Sequence, residues 1–415
     1  MGTIKIPAAD VLKKIYGETE ESSARYTNLA VNFEKKYHHD KAEFFTAPGR
    51  TEIIGNHVDH NGGQIIAASI DLDTIGAAYP NGTNVIHMIS EGYKQEVVVD
   101  LDKLSTETYT KGTDALVAGI MEYMQKKGYA TGGFDAYVST KVIAAAGVSS
   151  SASFEMLVCA ITNYFFNEGK LEYGEYARAG QYAENVYWKK ASGLMDQMAS
   201  SVGGMIHIDF KEPGSPVVEK VLSDFEDYQY SMCIVDTKAS HADMGDDYAS
   251  IPEEMKKVAK FFGKTFLREV EEDDFYKQIS GLRSVLGDRP ILRALHFFEE
   301  ERRVEGEVKA LREGDFKEFL ELVKDSGNSS FKYLQNIYNS SNVQKQAMSI
   351  ALAVSDKILR KHGVSRVHGG GFVGTIEIFV ENSFVDEYKT RMDRVFGKGS
   401  CQILKVRQSG GRKVL

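Results

Sequence analysis

Residues 144–152 read AAAGVSSSA, a run of small residues that ends in three serines before an alanine. The pattern around the run predicts a strand over Phe134–Val142 before it and a helix over Ser153–Phe166 after it. Small side chains let backbone N–H groups approach phosphate oxygens, and the positive end of the following helix would face them. A serine hydroxyl there could also bind Mg²⁺, which prefers oxygen ligands. No Gly-Lys-Ser/Thr follows, so this is not a Walker A loop, and a simple serine cap of the helix is the alternative.

A second polar stretch, residues 47–63, reads APGRTEIIGNHVDHNGG. It follows a predicted short strand, Glu43–Ala47, which Pro48 and Gly49 are expected to break. An arginine, two histidines, an aspartate and two asparagines lie between glycines, and such side chains donate and accept hydrogen bonds to hydroxyl groups. The stretch therefore predicts a sugar site on a short rigid loop, with an ordinary polar surface loop as the alternative.

A third stretch, residues 367–374, reads VHGGGFVG and lies between two β-like runs. Three successive glycines indicate a backbone conformation or a close approach that side chains would forbid. An ordinary tight turn is the alternative.

Two acidic residues are notable for their positions. Glu184 falls on the stripe of a predicted helix, Glu172–Trp188, that has the spacing of a buried face: Tyr173, Ala177, Gly180 and Tyr187. A carboxylate on that face needs a salt bridge or a metal ion, because an unpaired buried charge is costly. Asp196 lies near the start of the predicted helix Leu194–Val202, where the helix dipole favours its ionised form; it is either a proton-accepting or orienting group, or only a cap.

Length and element order predict two domains and an α+β fold. The chain has 415 residues, and the proposed domains are residues 1–212 and 213–415, with turn-rich segments near Gly203 and residues 213–216. Helices and strands are mixed, without internal repeats. Sustained parallel βαβ alternation is missing, which argues against a Rossmann sheet.

Composition excludes several classes of protein. A net charge of −9 argues against nucleic acid or an anionic membrane as partner. The three cysteines are far apart and form no zinc-binding pattern. The first residues show no signal-peptide core, and the longest apolar stretch, about residues 142–166, is interrupted by serines and Glu155. We expect a cytoplasmic, monomeric protein.

Together, these stretches resemble the signature motifs of the GHMP kinases, and specifically of the galactokinase family. Residues 49–59 are similar to G-R-x-N-x-I-G-E-H-x-D, residues 147–153 to G-L-S-S-S-A-S, and residues 369–374 to G-G-G-F-G-G. Residues 192–197 resemble C-G-I-M-D-Q, the stretch from His241 to Tyr248 resembles a family motif with Asp247 in place of Glu, and residues 408–414 have the family's usual ending. The resemblance covers nearly the whole chain, in the family's order.

The resemblance implies a two-domain GHMP kinase that moves the γ-phosphoryl group of ATP to the anomeric hydroxyl of a hexose, with galactose as the first expectation. Asp196 would be the catalytic carboxylate, as base or as orienting group, and Arg50 would stabilise the transferring phosphoryl group and keep Asp196 ionised. The sugar would be contacted by Asn56, His57, Asp59, Gly193 and Tyr248. The nucleotide would be bound by Gly147, Val148, Ser149, Ser150, Ser151 and Ala152, with Gly370 and Gly371 in the loop that closes the site. Mg²⁺ would be held by Ser151 and Glu184.

Departures from the family pattern bear on the choice of sugar. Asn56 stands where the family has a glutamate that contacts a distal sugar hydroxyl, and Glu52 replaces an asparagine; His60, Ala145 and Val373 also differ. A neutral Asn56 would admit a C6 carboxylate that a glutamate would repel, so a uronic-acid kinase such as a galacturonokinase is the main alternative. A 4-epimer or an N-acetylated hexose is a weaker one. A non-catalytic sugar sensor is disfavoured, because the known example lacks the Ser-Ala pair found here at residues 151–152.

Overall fold

The computed structural model describes residues 4–142, 147–190, 192–212, 214–239, 245–338, 340 and 342–414. The helices in these residues are α1 (Ala9–Tyr16), α2 (Glu20–Tyr37), α3 (Gly112–Lys126), α4 (Ser150–Phe166), α5 (Tyr173–Tyr182), α6 (Met195–Val202), α7 (Gly245–Phe261), α8 (Glu272–Lys277), α9 (Ile279–Leu286), α10 (Arg289–Glu313), α11 (Phe316–Ser329), α12 (Ala347–Leu359) and α13 (Val385–Phe396). The strands are β1 (Glu43–Ile54), β2 (Gln64–Pro80), β3 (Val85–Ser90), β4 (Val97–Asp100), β5 (Phe134–Thr140), β6 (Met205–Asp209), β7 (Val217–Val221), β8 (Tyr230–Asp236), β9 (Gly363–His368), β10 (Thr375–Glu381), β11 (Cys401–Leu404) and β12 (Arg412–Lys413).

The first sheet is built around the long strand β2. Its strand order is β12-β1-β2-β5-β3-β4, and β6 pairs with a different part of β2 and carries β7 at its edge. Only the β3–β5 pair is parallel among these strands. Strands β7 and β12 come from beyond residue 212, so this sheet draws on both parts of the chain, and the domain division at 212 stays a prediction.

The second sheet is antiparallel, with the order β11-β8-β10-β9. One buried apolar cluster joins the two sheets and helices α10 and α11: it includes Ile54 and Ile66 of the first sheet, Ile234 and Phe379 of the second, and Val304 of α10. The mixture of helices with mainly antiparallel sheets confirms the predicted α+β class. No helix among the described residues is long and apolar enough to cross a membrane.

The prediction that Pro48 and Gly49 break the strand is wrong, because β1 continues to Ile54. A register shift between Pro48 and Arg50 accommodates the proline, which lacks an N–H group for the ladder. A Cβ at Gly49 would lie 2.7 Å from the carbonyl oxygen of Val148, and the Arg50 N–H donates to that same oxygen at 3.1 Å. The irregularity therefore brings Arg50 against the serine-rich segment.

The helix predicted over Glu172–Trp188 is shorter in the structure and ends in a different geometry. Helix α5 stops at Tyr182, and Ala183–Tyr187 form one π-helical turn that contains Glu184. Such turns are rare and are often found at functional sites. Glu184 is buried as predicted, whereas Tyr173, at the start of α5, is 45% exposed and does not belong to the buried face.

Candidate active site

A cavity of about 240 Å³ lies where the end of β1, the start of α6 and the turn between β9 and β10 meet. This volume is just below the roughly 300–1,000 Å³ typical of pockets for drug-sized ligands, so the cavity suits a small molecule. The lining residues that the sequence singled out are Arg50, Asn56, His57, Asp59, Glu184, Gly193, Asp196 and Gly370. The lining is completed by Glu52, His60, Lys190, Ser192, Met195, Gln197 and Gly369. Residues that are far apart in sequence therefore meet in one cavity.

Arg50 and Asp196 form an ion pair at the wall of this cavity, with 2.7 Å between Nε and Oδ1. Arg50 also donates a hydrogen bond to the carbonyl oxygen of Gly147, and the Ser149 hydroxyl donates to Oδ2 of Asp196. Burial by itself would raise the pKa of Asp196, but the charge of Arg50 and these hydrogen bonds outweigh it and lower that pKa. Asp196 is therefore an ionised carboxylate, and 29% of its side chain is exposed.

The position of Asp196 follows from the start of helix α6. The helix begins at Met195, so Asp196 lies in its first turn, where the helix dipole favours a negative charge. Gly193 precedes the helix, and a Cβ there would lie 2.4 Å from Oδ2 of Asp59. A larger residue at 193 would displace Asp59, so the glycine keeps two predicted sugar-binding residues in contact.

The side chain of Asn56 is buried, and each of its hydrogen-bonding groups has a partner in the protein. Its amide nitrogen donates to Oε1 of Glu52 at 2.9 Å and to the carbonyl oxygen of Gly369 at 2.6 Å. Its amide oxygen accepts a hydrogen bond from Asn336 at 2.7 Å. Asn56 therefore ties the residues that follow β1 to the glycine turn between β9 and β10.

Glu52 places a carboxylate beside Asn56 in the lining of the same cavity. Its Oε1 accepts from Asn56 and, at 3.3 Å, from Arg366, and neither bond uses Oε2. Burial raises the pKa of Glu52, and the nearby charge of Arg366 offsets part of this effect. The sequence showed Glu52 only as a departure from the family pattern. Its contact with Asn56 was not visible there, because it requires the chain to turn back after β1.

The glycine turn between β9 and β10 is held from both sides. His57 donates from Nε2 to the carbonyl oxygen of Gly370 at 2.8 Å, and burial lowers the pKa of His57 to about 4, so its ring is neutral at pH 7. Tyr248 donates to the carbonyl oxygen of Gly371 at 2.8 Å, and a Cβ at Gly370 would lie 2.4 Å from the tyrosine ring. Tyr248 thus supports the turn and is not among the residues that line the cavity. His241, the start of the motif that contains Tyr248, lies outside the described residues.

The serine-rich segment leads directly into helix α4. Residues 144–146 lie outside the described part of the chain, whereas residues 147–152 are described. Ser149 precedes the helix with a φ of 58° and makes no side-chain cap bond to it, because its hydroxyl donates to Asp196. The alternative of a simple serine cap is therefore wrong for Ser149. The first N–H groups of α4 have no partners within the helix, as at every helix start.

Glu184 is buried among polar partners beside this helix start. Its Oε1 accepts from the Ser151 hydroxyl at 2.9 Å, and Lys190 Nζ lies 2.9 and 3.1 Å from its two oxygens. A hydroxyl and a carboxylate so close together fit a hard cation such as Mg²⁺. Among the described residues no group of three or more His, Cys, Asp or Glu could hold a metal ion.

A second cavity, of about 730 Å³, also reaches the start of α4 at Ser150 and Ser151. Its lining contains four aromatic side chains: Tyr93, Tyr109, Phe154 and Trp188. Trp188 is the only tryptophan of the chain, and its Nε1 donates to the carbonyl oxygen of Gly112 at 2.7 Å. The sequence did not predict this cavity, because its aromatic residues are spread between positions 93 and 188 and form no local pattern.

Comparison with protein families gives two matches within the chain. Residues 32–80 match the galactokinase galactose-binding signature, and residues 115–204 match the N-terminal domain of GHMP kinases. The first match contains β1, β2 and the whole polar stretch of residues 47–63. The second contains the serine-rich segment, Glu184 and Asp196.

Comparison with individual proteins gives relatives over most of the chain. A galactokinase from Thermotoga petrophila is 30% identical over 355 residues, which are 83% of this chain and 93% of that protein. A galactokinase from Clostridium tetani is 28% identical over 379 residues, 89% of this chain and 92% of that protein. The solved Lactococcus lactis galactokinase, complexed with galactose, superposes with a TM-score of 0.79 at 24% identity and covers 93% of this chain and 99% of that one. The Methanococcus jannaschii mevalonate kinase has a TM-score of 0.60 at 16% identity, covering 89% and 99%, and shares the GHMP kinase fold.

Proposed function

This chain belongs to the galactokinase family and is a phosphotransferase acting on a sugar hydroxyl, and we propose that it transfers the γ-phosphoryl group of ATP to the anomeric hydroxyl of galactose. The observation that carries this assignment is the Arg50–Asp196 pair, which lies between the small polar cavity and the start of α4. The small cavity would hold the sugar. The start of α4 and the larger cavity would hold the nucleotide.

The reaction follows from the charges at this point. The anomeric hydroxyl would donate a hydrogen bond to Asp196, which aims its oxygen at the γ-phosphorus. The bond from phosphorus to the β-phosphate oxygen breaks while the bond to the sugar oxygen forms, and the hydroxyl proton passes to Asp196 and then to solvent. The low pKa of Asp196 makes it a weak base, which suits a late proton transfer in a loose transition state. Arg50 would stabilise the charge on the transferring group.

The pH dependence should report the lowered pKa of Asp196. A carboxyl group with a pKa below its usual value stays ionised at neutral and mildly acidic pH. We therefore expect kcat/KM for galactose, at saturating ATP and excess Mg²⁺, to be flat between about pH 5.5 and 8. Initial rates of ADP release measure this, with circular dichroism at each pH as the control for folding. An acid limb with a midpoint above pH 6 would contradict the assignment.

Nucleotide binding should change the fluorescence of Trp188. The side chain lines the larger cavity together with Ser150 and Ser151, and no second tryptophan contributes to the signal. We expect ATP to change the tryptophan emission by at least about 10% in a saturable manner, and galactose alone to have little effect, since stacking of a base alters the surroundings of an aromatic ring. Titration of the protein with ATP in the absence of sugar measures this. An unchanged spectrum with ATP binding confirmed by calorimetry would place the base elsewhere.

Mg²⁺ is assigned to Ser151 and Glu184. The two oxygen-bearing groups lie 2.9 Å apart at the start of the helix that would receive the phosphates. When bound, the ion would neutralise charge on the β- and γ-phosphates. The protein groups around it would position the phosphate chain and keep Asp196 facing the sugar.

Galactose is favoured over a uronic acid by the family matches and by Glu52. The uronic-acid alternative depended on the loss of negative charge at Asn56. In the structure a carboxyl group still lines the cavity, because Glu52 lies 2.9 Å from the Asn56 amide. A C6 carboxylate would meet this group, whereas a hydroxyl could donate to it.

ADP release against a sugar panel tests the proposed function. The panel holds galactose, glucose, N-acetylgalactosamine, galacturonate and glucuronate, each with ATP and Mg²⁺. We expect turnover on galactose at least about tenfold above the others. Greater turnover on galacturonate would restore the uronic-acid assignment, and binding of galactose and ATP without ADP release would identify a sensor. We also propose that the protein is a monomer in the cytoplasm. Light scattering after size exclusion tests the oligomeric state.

A further inference from the structure

Lys190 lies in the active-site cavity but takes no part in the proton transfer to Asp196 or in the charge stabilisation by Arg50. Its side chain is 54% exposed and lines the same cavity as Arg50 and Asp196. Its Nζ lies 2.9 and 3.1 Å from the two carboxylate oxygens of Glu184. A cationic side chain that spans both oxygens of one carboxylate is well placed to neutralise it.

The backbone around Lys190 fixes where its side chain starts. The Lys190 N–H donates to the carbonyl oxygen of Glu184 at 3.0 Å, and the Ser192 N–H donates to the carbonyl oxygen of Lys190 at 2.8 Å. The segment after the π-helical turn is thus folded back on Glu184. The four-carbon side chain of Lys190 can still rotate, because more than half of that side chain is exposed.

The charges at the start of α4 explain why a cation is needed here. Glu184 and Asp196 both lie beside Ser149–Ser151, where the phosphates of ATP would bind. Each carboxylate would repel a phosphate chain unless a cation offset it. Arg50 offsets Asp196 and Lys190 offsets Glu184. Glu184 is buried whereas Lys190 is 54% exposed, and an ammonium group has three N–H donors, so Lys190 can stay paired with Glu184 and still turn an N–H toward a phosphate oxygen.

On the basis of the function proposed above, we propose that Lys190 is a phosphate-binding residue, which neutralises Glu184 in the free protein and contacts phosphate oxygens of ATP in the complex. Arg50 is one cation beside the path of the transferred phosphoryl group, and Lys190 is the second. Its role is the binding and positioning of the phosphate chain. Contacts with the sugar or the base are not part of this role.

Binding of ATP without a divalent cation tests this role separately from turnover. Calorimetry in EDTA compares wild type with Lys190→Met, using ATP, adenosine and galactose as ligands. We expect Lys190→Met to weaken ATP binding roughly tenfold, because one attractive charge is lost and Glu184 is left uncompensated. The affinities for adenosine and galactose should stay within about twofold. Lys190→Arg, which keeps the charge, should recover most of the loss.

Lys189→Met is the matched control, since Lys189 is exposed, adjacent in sequence and not among the residues lining either cavity. It should bind ATP as wild type does. Equal ATP affinities for Lys190→Met and wild type would overturn the inference, as would an equal loss for ATP and adenosine. Wild type that binds neither ATP nor galactose would overturn the proposed function itself, an outcome distinct from a failure confined to the Lys190 variants.

Discussion

Asp196→Asn lowers kcat by about a thousandfold or more and leaves the binding of galactose nearly unchanged. ATP should bind at least as tightly as to wild type, because one negative charge beside the phosphates is removed. The asparagine keeps the shape of the side chain, and its oxygen can still accept a hydrogen bond from Arg50, so the lining of the cavity stays in place. It cannot take a proton from the anomeric hydroxyl, and loss of a positioned proton acceptor costs up to about 10⁴ in rate. Rates of ADP release and calorimetric affinities for both ligands measure the two effects.

The matched control for this variant is Asp135→Asn. Asp135 is also a partly buried aspartate with a charged or polar partner, His39, but it lies on β5 and lines neither cavity. Its activity should stay within about twofold of wild type. Asp196→Asn activity within tenfold of wild type would show that the carboxylate neither accepts the proton nor orients the hydroxyl.

Asn56→Glu lowers the free energy of unfolding by about 3–5 kcal/mol, the range found when a buried charge lacks its partner. Asn56 and Glu52 are both buried, and the Asn56 amide is 2.9 Å from Glu52, so a carboxylate at position 56 would be buried against a second one. It would also face the carbonyl oxygen of Gly369, which now accepts a hydrogen bond from the amide. Urea unfolding measures the loss.

The double variant Glu52→Asn with Asn56→Glu should recover most of this loss. It exchanges the carboxylate and the amide, which gives the arrangement of the galactokinase signature, so one charge and one amide remain in contact. We expect a coupling free energy of at least about 2 kcal/mol between the two positions. If the losses in unfolding free energy of the two single variants simply add in the double variant, residues 52 and 56 do not interact as we propose.

The single variant should also become more sensitive to pH. Two adjacent carboxylates raise the pKa of one of them in the folded state above its unfolded value. The folded state then gains from binding a proton at low pH, and this gain is lost as the pH rises through the raised pKa. The stability difference from wild type should therefore grow between about pH 5 and pH 8.

Much of the site was accessible from the sequence because the important residues lie in short, dense motifs. Arg50, Asp59 and Asp196 were selected from local patterns, and the structure brings them to one cavity. The roles of Lys190 and Trp188 were not accessible, since an isolated lysine or tryptophan looks like any other surface residue. Their positions depend on the π-helical turn after Tyr182, and the sequence predicted that segment as ordinary helix.

The strand error at Pro48 has a similar origin. Local rules treat Pro-Gly as a strand end, and they ignore partners that are distant in sequence. Here β2 keeps pairing with β1 on both sides of the irregularity. The carbonyl oxygen of Val148, which is distant in sequence, accepts a hydrogen bond from the Arg50 N–H. The exchange of Glu52 and Asn56 shows the same limit: position 56 alone suggested that a carboxyl group was lost, whereas the folded pair keeps one, on Glu52.

The most direct test is identification of the product formed from galactose and ATP. Purified protein is incubated with both substrates and Mg²⁺, and ³¹P and ¹H NMR follow the new phosphate. We predict a phosphate ester whose phosphorus couples to the anomeric proton, formed in equal amount to ADP and formed by Asp196→Asn at least about a thousandfold more slowly. A phosphate on another hydroxyl, or ADP release that does not depend on galactose, would contradict anomeric transfer at the Arg50–Asp196 pair.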